Sequence, residues 1–215
     1  HDRPRVAGRV GEGQARIAAM LLLTLRGTPT IYYGDEIGMP QVPIPRDRVH
    51  DPVEVNMPDQ GLGRDGARTP MQWDGGPFAG FSQVEPWLPL AADHGSRNVE
   101  NMRRDAGSIL NLYRRLIALR RQRRVLTVGS YHPVHARDDL LLFARQSGEE
   151  RILMALNLGR DPASVSFREP LRGRVILSCF ADRDGEVIRD SIDLAGDEGL
   201  VIELAPESAM PAASF

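Results

Sequence analysis

The periodicity of the sequence changes near residue 125, so no single layer of like elements accommodates both halves. Before that point apolar residues recur at helical spacing or gather in one short unbroken run; after it, short β-rich runs alternate with turns. From Glu12 to Arg26 the residues Ile17, Met20, Leu21, Thr24 and Leu25 fall at i, i+3, i+4, i+7 and i+8, which predicts a helix with one buried face. Gly27 then serves as a C-cap and Pro29 blocks continuation. Thr30-Ile31-Tyr32-Tyr33 has no polar alternation and predicts a short parallel strand covered on both faces, ending at Gly34-Asp35-Glu36. A second helix is expected from about Ser108 to Arg123, with Ile109, Leu112, Tyr113, Leu116 and Ile117 on one face. Its arginines, Arg120 among them, are assigned to the solvent side.

Helix, strand and helix, with a long loop leaving the strand's C-terminal end, is how a parallel α/β barrel presents an active site. The expected fold is therefore α/β plus all-β. Residues 1–125 are read as a portion of such a barrel, with a long active-site loop over 39–101. Residues 126–215 are read as an antiparallel sheet or small β-sandwich domain built from runs at Leu140–Arg145, Arg151–Asn157, Ser164–Phe167, Arg174–Phe180, Ser191–Leu194 and Leu200–Leu204. Two βα units do not close a barrel, so further barrel segments of the same protein are expected upstream. The chain begins at His1 rather than Met, which suggests that this is not its natural start.

Charge narrows the partners. Twenty-seven basic residues are balanced by 29 acidic ones, for a net charge of −2, so no global field draws nucleic acid or an anionic membrane. The longest apolar stretch, Ile17 to Leu25, falls short of the roughly 20 residues a membrane span needs. A cytoplasmic location is expected. The single cysteine, Cys179, forms no intrachain disulfide and sits in the run Val175 to Phe180, so it reads as a buried, inert thiol.

Three blocks carry a family resemblance. His1-Asp2-Arg3-Pro4-Arg5 resembles the segment that α-glucosidases of the α-amylase family carry after their seventh barrel strand. The stretch from Thr24 to Met39 is similar to the family's helix, eighth strand and following turn. Gly63-Arg64-Asp65-Gly66-Ala67-Arg68-Thr69-Pro70-Met71-Gln72-Trp73-Asp74 resembles the next loop of oligosaccharide-cleaving members, as do the later Ala79-Gly80-Phe81-Ser82 and Pro86-Trp87-Leu88-Pro89. The three blocks occur in family order, and the resemblance implies that residues 1–125 are the C-terminal portion of a TIM (β/α)8 barrel, contributing its last two βα units, with residues 126–215 as the family's C-terminal β domain.

The resemblance implies a retaining glycosidase, in which a carboxylate nucleophile and a carboxylic acid flank the scissile bond about 5 Å apart. It assigns to Asp2 the third carboxylate, which binds ring hydroxyls and stabilises the transition state, and to His1 a ring-hydroxyl contact. Arg64 and Arg68 are the loop's candidates for touching the sugar, Arg64 being favoured, with the family arginine also pairing with an acid of an early barrel loop. Asp65 positions the turn, and Asp35 and Glu36 hold the active-site wall. The resemblance implies no metal and no cofactor, and the partner is an α-glucoside oligosaccharide. Trp73 and Trp87 are read as anchors of the loop, with stacking on sugar rings as the other reading. The nucleophile and the general acid are expected in upstream segments, leaving residues 1–215 inactive alone. Two alternatives stand beside an exo-acting α-glucosidase: a glucosyl isomerase or transferase of the trehalose synthase type, and a non-catalytic carbohydrate-binding or interaction module.

Overall fold

The computed structural model describes residues 1–211; the last four residues of the expected β domain lie outside the described range. By internal contacts the chain forms two compact units, one of His1–Ala15 with Ile31–Asn111, the other of Arg16–Thr30 with the chain from Leu112 onward. This division runs differently from a single boundary near residue 125, because it falls inside both long helices.

The first unit is mostly irregular. It contains a short helix α1 (Val6–Val10) and the start of α2 (Glu12–Thr24), then α3 (Pro52–Asn56) and α4 (Val99–Arg104), with single 3-10 turns at Asp35–Ile37, Arg46–Arg48 and Asp65–Ala67. Ile37, Met39, Met71, Val99 and Leu110 form its small apolar core. The parallel strand expected at residues 30–33 is not a strand: residues 30–32 are irregular, Tyr33 lies in a turn, and the segment has no ladder partner among the described residues. A strand exists only through its neighbour's backbone groups, and none lies alongside here. Among the described residues no strands pair in parallel, although the helices expected before and after this segment are present.

In the second unit α5 (Ile109–Gln122) and α6 (Val125–Val128) lead into eight strands: β1 (Ser130–Arg137), β2 (Leu140–Ser147), β3 (Glu150–Asn157), β4 (Ala163–Ser166), β5 (Arg172–Ser178), β6 (Val187–Arg189), β7 (Ser191–Leu194) and β8 (Gly199–Leu204). Every pairing is antiparallel, in the order β1-β2-β3-β8-β5-β6-β7-β4. Instead of two separate sheets, one continuous sheet curls over itself. Val134, Leu142, Leu153, Val175, Ile192 and Ile202, drawn from strands at both ends of the order, share one core. The Asn157 side chain donates to Asp161 O and Ala195 O at 2.8 Å each, tying the end of β3 to the segment after β7.

The other face of β2, β3 and β8 is buried too, with Phe143, Ile152, Met154, Leu156 and Val201 fully covered. Gly199 explains the fit: a Cβ there would meet Met20 Sδ at 2.5 Å, Leu156 at 3.0 Å and Ile17 at 3.2 Å, so helix α2 lies directly against β8. Arg120 corrects the expectation of a solvent-facing arginine row, since it is buried and donates to Leu23 O, Leu25 O, Gly27 O and Leu126 O. Buried Arg145 adds bonds to Thr24 O, Leu126 O and Gly129 O. The last carbonyls of a helix have no intrahelical donor and carry its negative dipole end, so two cations there satisfy a local demand. No helix among the described residues is long and apolar enough to cross a membrane.

A carboxylate and arginine cluster as candidate active site

The site is built on a buried arginine that the sequence reading did not single out. Arg5 is almost wholly buried and donates to Tyr33 O (3.2 Å), Pro40 O (3.4 Å), and both the hydroxyl and carbonyl of Thr69 (3.3 Å each). Its guanidinium also lies 4.9 Å from the centroid of the Tyr33 ring, a cation–π distance. One side chain thereby fastens together the three segments that hold the family motifs. Tyr33 Oη donates to Thr69 O at 2.8 Å, and burial pushes its hydroxyl up to about 12, so it stays a donor.

The next turn is fixed by its glycines. Gly34 at φ 89° and Gly38 at φ 62° bracket the 3-10 turn in left-handed backbone, and a Cβ on Gly34 would meet Met39 Sδ at 2.7 Å and Arg5 Nε at 3.0 Å. Asp35 Oδ1 accepts from Val6 N (3.3 Å) and Glu36 Oε2 from Gly34 N (2.7 Å). Burial raises the pKa of both carboxyls. These contacts hold α1 and the turn in place, with Glu36 facing a cavity.

At the front of this frame Asp2, Arg64 and Arg68 converge. Asp2 Oδ1 accepts from Arg64 Nη1 (3.4 Å) and Arg68 Nη2 (3.1 Å), while His1 Nε2 lies 3.3 Å from Oδ2. The Asp2 side chain is 54% exposed. Arg68 Nε also donates to His1 O at 3.3 Å.

Arg64 has a second partner, Asp51. Asp51 Oδ2 takes Arg64 Nε (2.8 Å) and the Arg64 backbone N (2.7 Å), and Oδ1 takes Nη2 (2.6 Å), a two-pronged fork. Asp51 is only 1% exposed, and the Arg64 guanidinium holds its carboxyl well below the usual carboxylate range. Asp65 Oδ2 receives the backbone N–H groups of His50 and Asp51 at 2.7 Å each, which ties residues 50–51 to the turn that carries Arg64 and Arg68. The acid that pairs with Arg64 in this chain, Asp51, comes from Arg64's own loop.

Arg68 and Glu36 also line a cavity of about 350 Å³ with Tyr33, Met71, Trp73, Phe81 and Trp87. Trp73 and Trp87 are 48% and 69% exposed, so neither anchors the loop by burial, and the Trp87 ring packs at 5.0 Å from the His50 ring. That corrects the anchoring role expected of them: the loop is instead held by backbone bonds such as Trp73 N to Ala79 O (2.8 Å) and Val99 N to Gln72 O (3.0 Å).

The structure therefore brings His1, Asp2, Arg64 and Arg68 into one cluster, with Asp65 behind it and Glu36 lining the adjoining cavity, whereas Asp35 bonds to Val6 N and is not among the cavity's lining residues. Two residues escaped sequence reasoning. Asp51 carries a signal, because Asp-Pro at residues 51–52 marks an N-cap with proline at N1; Asp51 Oδ1 does accept from Val53 N at 3.2 Å. Arg5 sits in the His1–Arg5 motif, but nothing local tells a buried arginine from an exposed one.

With this geometry in place, the comparisons with known proteins are specific. A family model described as alpha amylase, catalytic domain, matches residues 1–129, and the chain belongs to the α-amylase family. A probable alpha-glucosidase of Rhizobium meliloti is 34% identical over 194 residues, covering 86% of this chain and 35% of that protein. The oligo-1,6-glucosidase of Parageobacillus thermoglucosidasius is 34% identical over 182 residues, covering 73% and 32%. Among solved structures, the trehalulose synthase MutB of Pseudomonas mesoacidophila MX-45 superposes with a TM-score of 0.85 at 27% identity, covering 95% of this chain and 42% of that one. The chain thus spans about a third of the length of these curated relatives.

Proposed function

We propose that residues 1–215 form the C-terminal portion of a retaining, exo-acting α-glucosidase for short α-linked gluco-oligosaccharides. The observation that carries this reading is the half-exposed Asp2 carboxylate, with Oδ1 held by two arginines and Oδ2 beside His1. In the proposed reaction Asp2 binds hydroxyls of the glucosyl ring. As the ring flattens and positive charge grows on the anomeric carbon, those hydroxyls become better donors and the fixed carboxylate holds them more tightly. Arg64 and Arg68 orient that carboxylate and offer their remaining N–H groups to the sugar, and His1 offers a ring N–H. The aromatic cavity beside Arg68 suits the rest of the oligosaccharide, since flat ring faces match the C–H side of a pyranose. The nucleophile and general acid come from segments outside residues 1–215, as does the rest of the barrel.

Residues 1–215 expressed alone are expected to release no chromophore from a chromogenic α-glucoside, whereas the full-length protein hydrolyses it with retention of anomeric configuration. Turnover by the isolated chain, or inversion by the whole enzyme, contradicts the assignment. A second reading is favoured by the trehalulose synthase structures, with TM-scores of 0.84 and 0.85: transfer of the glucosyl group to sugar instead of water. Product analysis with one disaccharide as sole substrate decides, glucose alone marking hydrolysis and a rearranged disaccharide marking isomerisation.

A further inference from the structure

We infer that Asp51 is a positioning residue of the sugar site, acting on Asp2 through Arg64, with Asp65 fixing Asp51 in turn; this rests on the reading of Asp2 given above. An arginine head on a flexible stem has many orientations, and an oxyanion-type site needs one. Asp51 removes that freedom at both ends of the residue. Its carboxylate takes the Arg64 backbone N at 2.7 Å and grips Nε and Nη2 at 2.8 and 2.6 Å, so the Nη1 edge is left pointing at Asp2.

Burial argues that this pair does more than staple a loop. Taking a carboxylate out of water is costly, and a buried ion pair is often no more stabilising than apolar side chains of the same volume. What an apolar replacement lacks is direction. The Asp51 carboxylate sits behind the guanidinium, opposite the half-exposed Asp2, and cannot follow Arg64 if the head swings, because its own backbone N is bonded to Asp65 Oδ2 and its Oδ1 caps α3. The relay Asp65, Asp51, Arg64, Asp2 runs from the loop interior to the surface of the site.

The test is a mutant cycle in the full-length enzyme, reading kcat, KM and melting temperature on a chromogenic α-glucoside for Asp51→Asn, Arg64→Ala, the double variant and Asp2→Asn. Asp51→Asn is expected to lower kcat/KM by roughly 10- to 100-fold, mostly through kcat, and the double variant is expected to match Arg64→Ala within about twofold. Multiplying losses, or Asp51→Asn with unchanged kcat/KM, overturns the positioning role whatever the melting temperature does. If Asp51→Asn does not fold, Asp51→Glu keeps the buried charge but displaces the guanidinium, and its loss must likewise vanish over Arg64→Ala. The Asp2→Asn arm separates the two claims. Full activity there defeats the reading of Asp2 itself, while inactivity there with an active Asp51→Asn defeats only the positioning inference.

Discussion

A carboxylate almost wholly removed from water keeps its charge only where donors surround it, and Asp51 has four: Val53 N, Arg64 N, Arg64 Nε and Arg64 Nη2. Because its folded pKa is depressed, chiefly by the Arg64 side chain, the ionised form is bound better by the fold than by the unfolded chain. The linkage has a definite sign: this contribution to stability is complete above the unfolded value of about 3.9 and fades as pH falls below it. Acid unfolding of the protein and of Asp51→Asn should therefore differ most near neutrality and converge below about pH 4. A constant gap down to the lowest pH contradicts that sign. Cys179 is the opposite case, a thiol pushed up to about 12 by burial, with Sγ accepting from Gly199 N at 3.3 Å. A thiol reagent at pH 8 should modify it only at the rate of unfolding; fast labelling of the native protein contradicts the burial. The burial of Cys179 was readable from its apolar run, and Asp2, Arg64 and Arg68, which meet in the structure, were singled out by their motifs. Asp51 was not, because its role depends on a partner 13 residues away in a segment without periodicity.

At the scale of elements, the C-terminal end of α2 shows what sequence periodicity conveys and what it omits. The helix itself was legible from its apolar spacing, and so was α5. Arg120 was placed in solvent because a basic residue beside other arginines usually is, whereas the carbonyls of Leu23, Leu25 and Gly27 draw it inward. Replacing Arg120 by Met leaves those acceptors without their cation, and the expected loss is about 2–4 kcal/mol, read as a lower denaturant midpoint. Arg145→Met should cost a similar amount through Thr24 O and Gly129 O, and no change in either variant contradicts the capping account. Six of the eight strands were legible within a few residues. β1 was missed because Pro133 and two histidines interrupt it, which an edge strand tolerates since only one side pairs. β6 has only three residues and no room for a pattern.

For the whole molecule, a cut near residue 125 severs the second unit, because residues 16–30 and 112–124 belong with the sheet. Residues 126–215 alone should expose Phe143, Ile152, Met154 and Leu156, bind a hydrophobic dye and aggregate. A monomeric, cooperatively folding product contradicts this. The change of pattern near residue 125 was real in the sequence, but it marked a change of element type and not a limit of packing. Family membership was legible because the motifs are long and ordered, whereas the curled sheet depends on pairings far apart in sequence that no local pattern encodes. The central claim concerns Asp2, and its most direct test is kcat/KM for an α-glucoside in full-length Asp2→Asn. Loss of one preorganised transition-state contact should lower the value by roughly 10²–10³-fold or more with the melting temperature preserved; a value within tenfold of the parent enzyme contradicts the account.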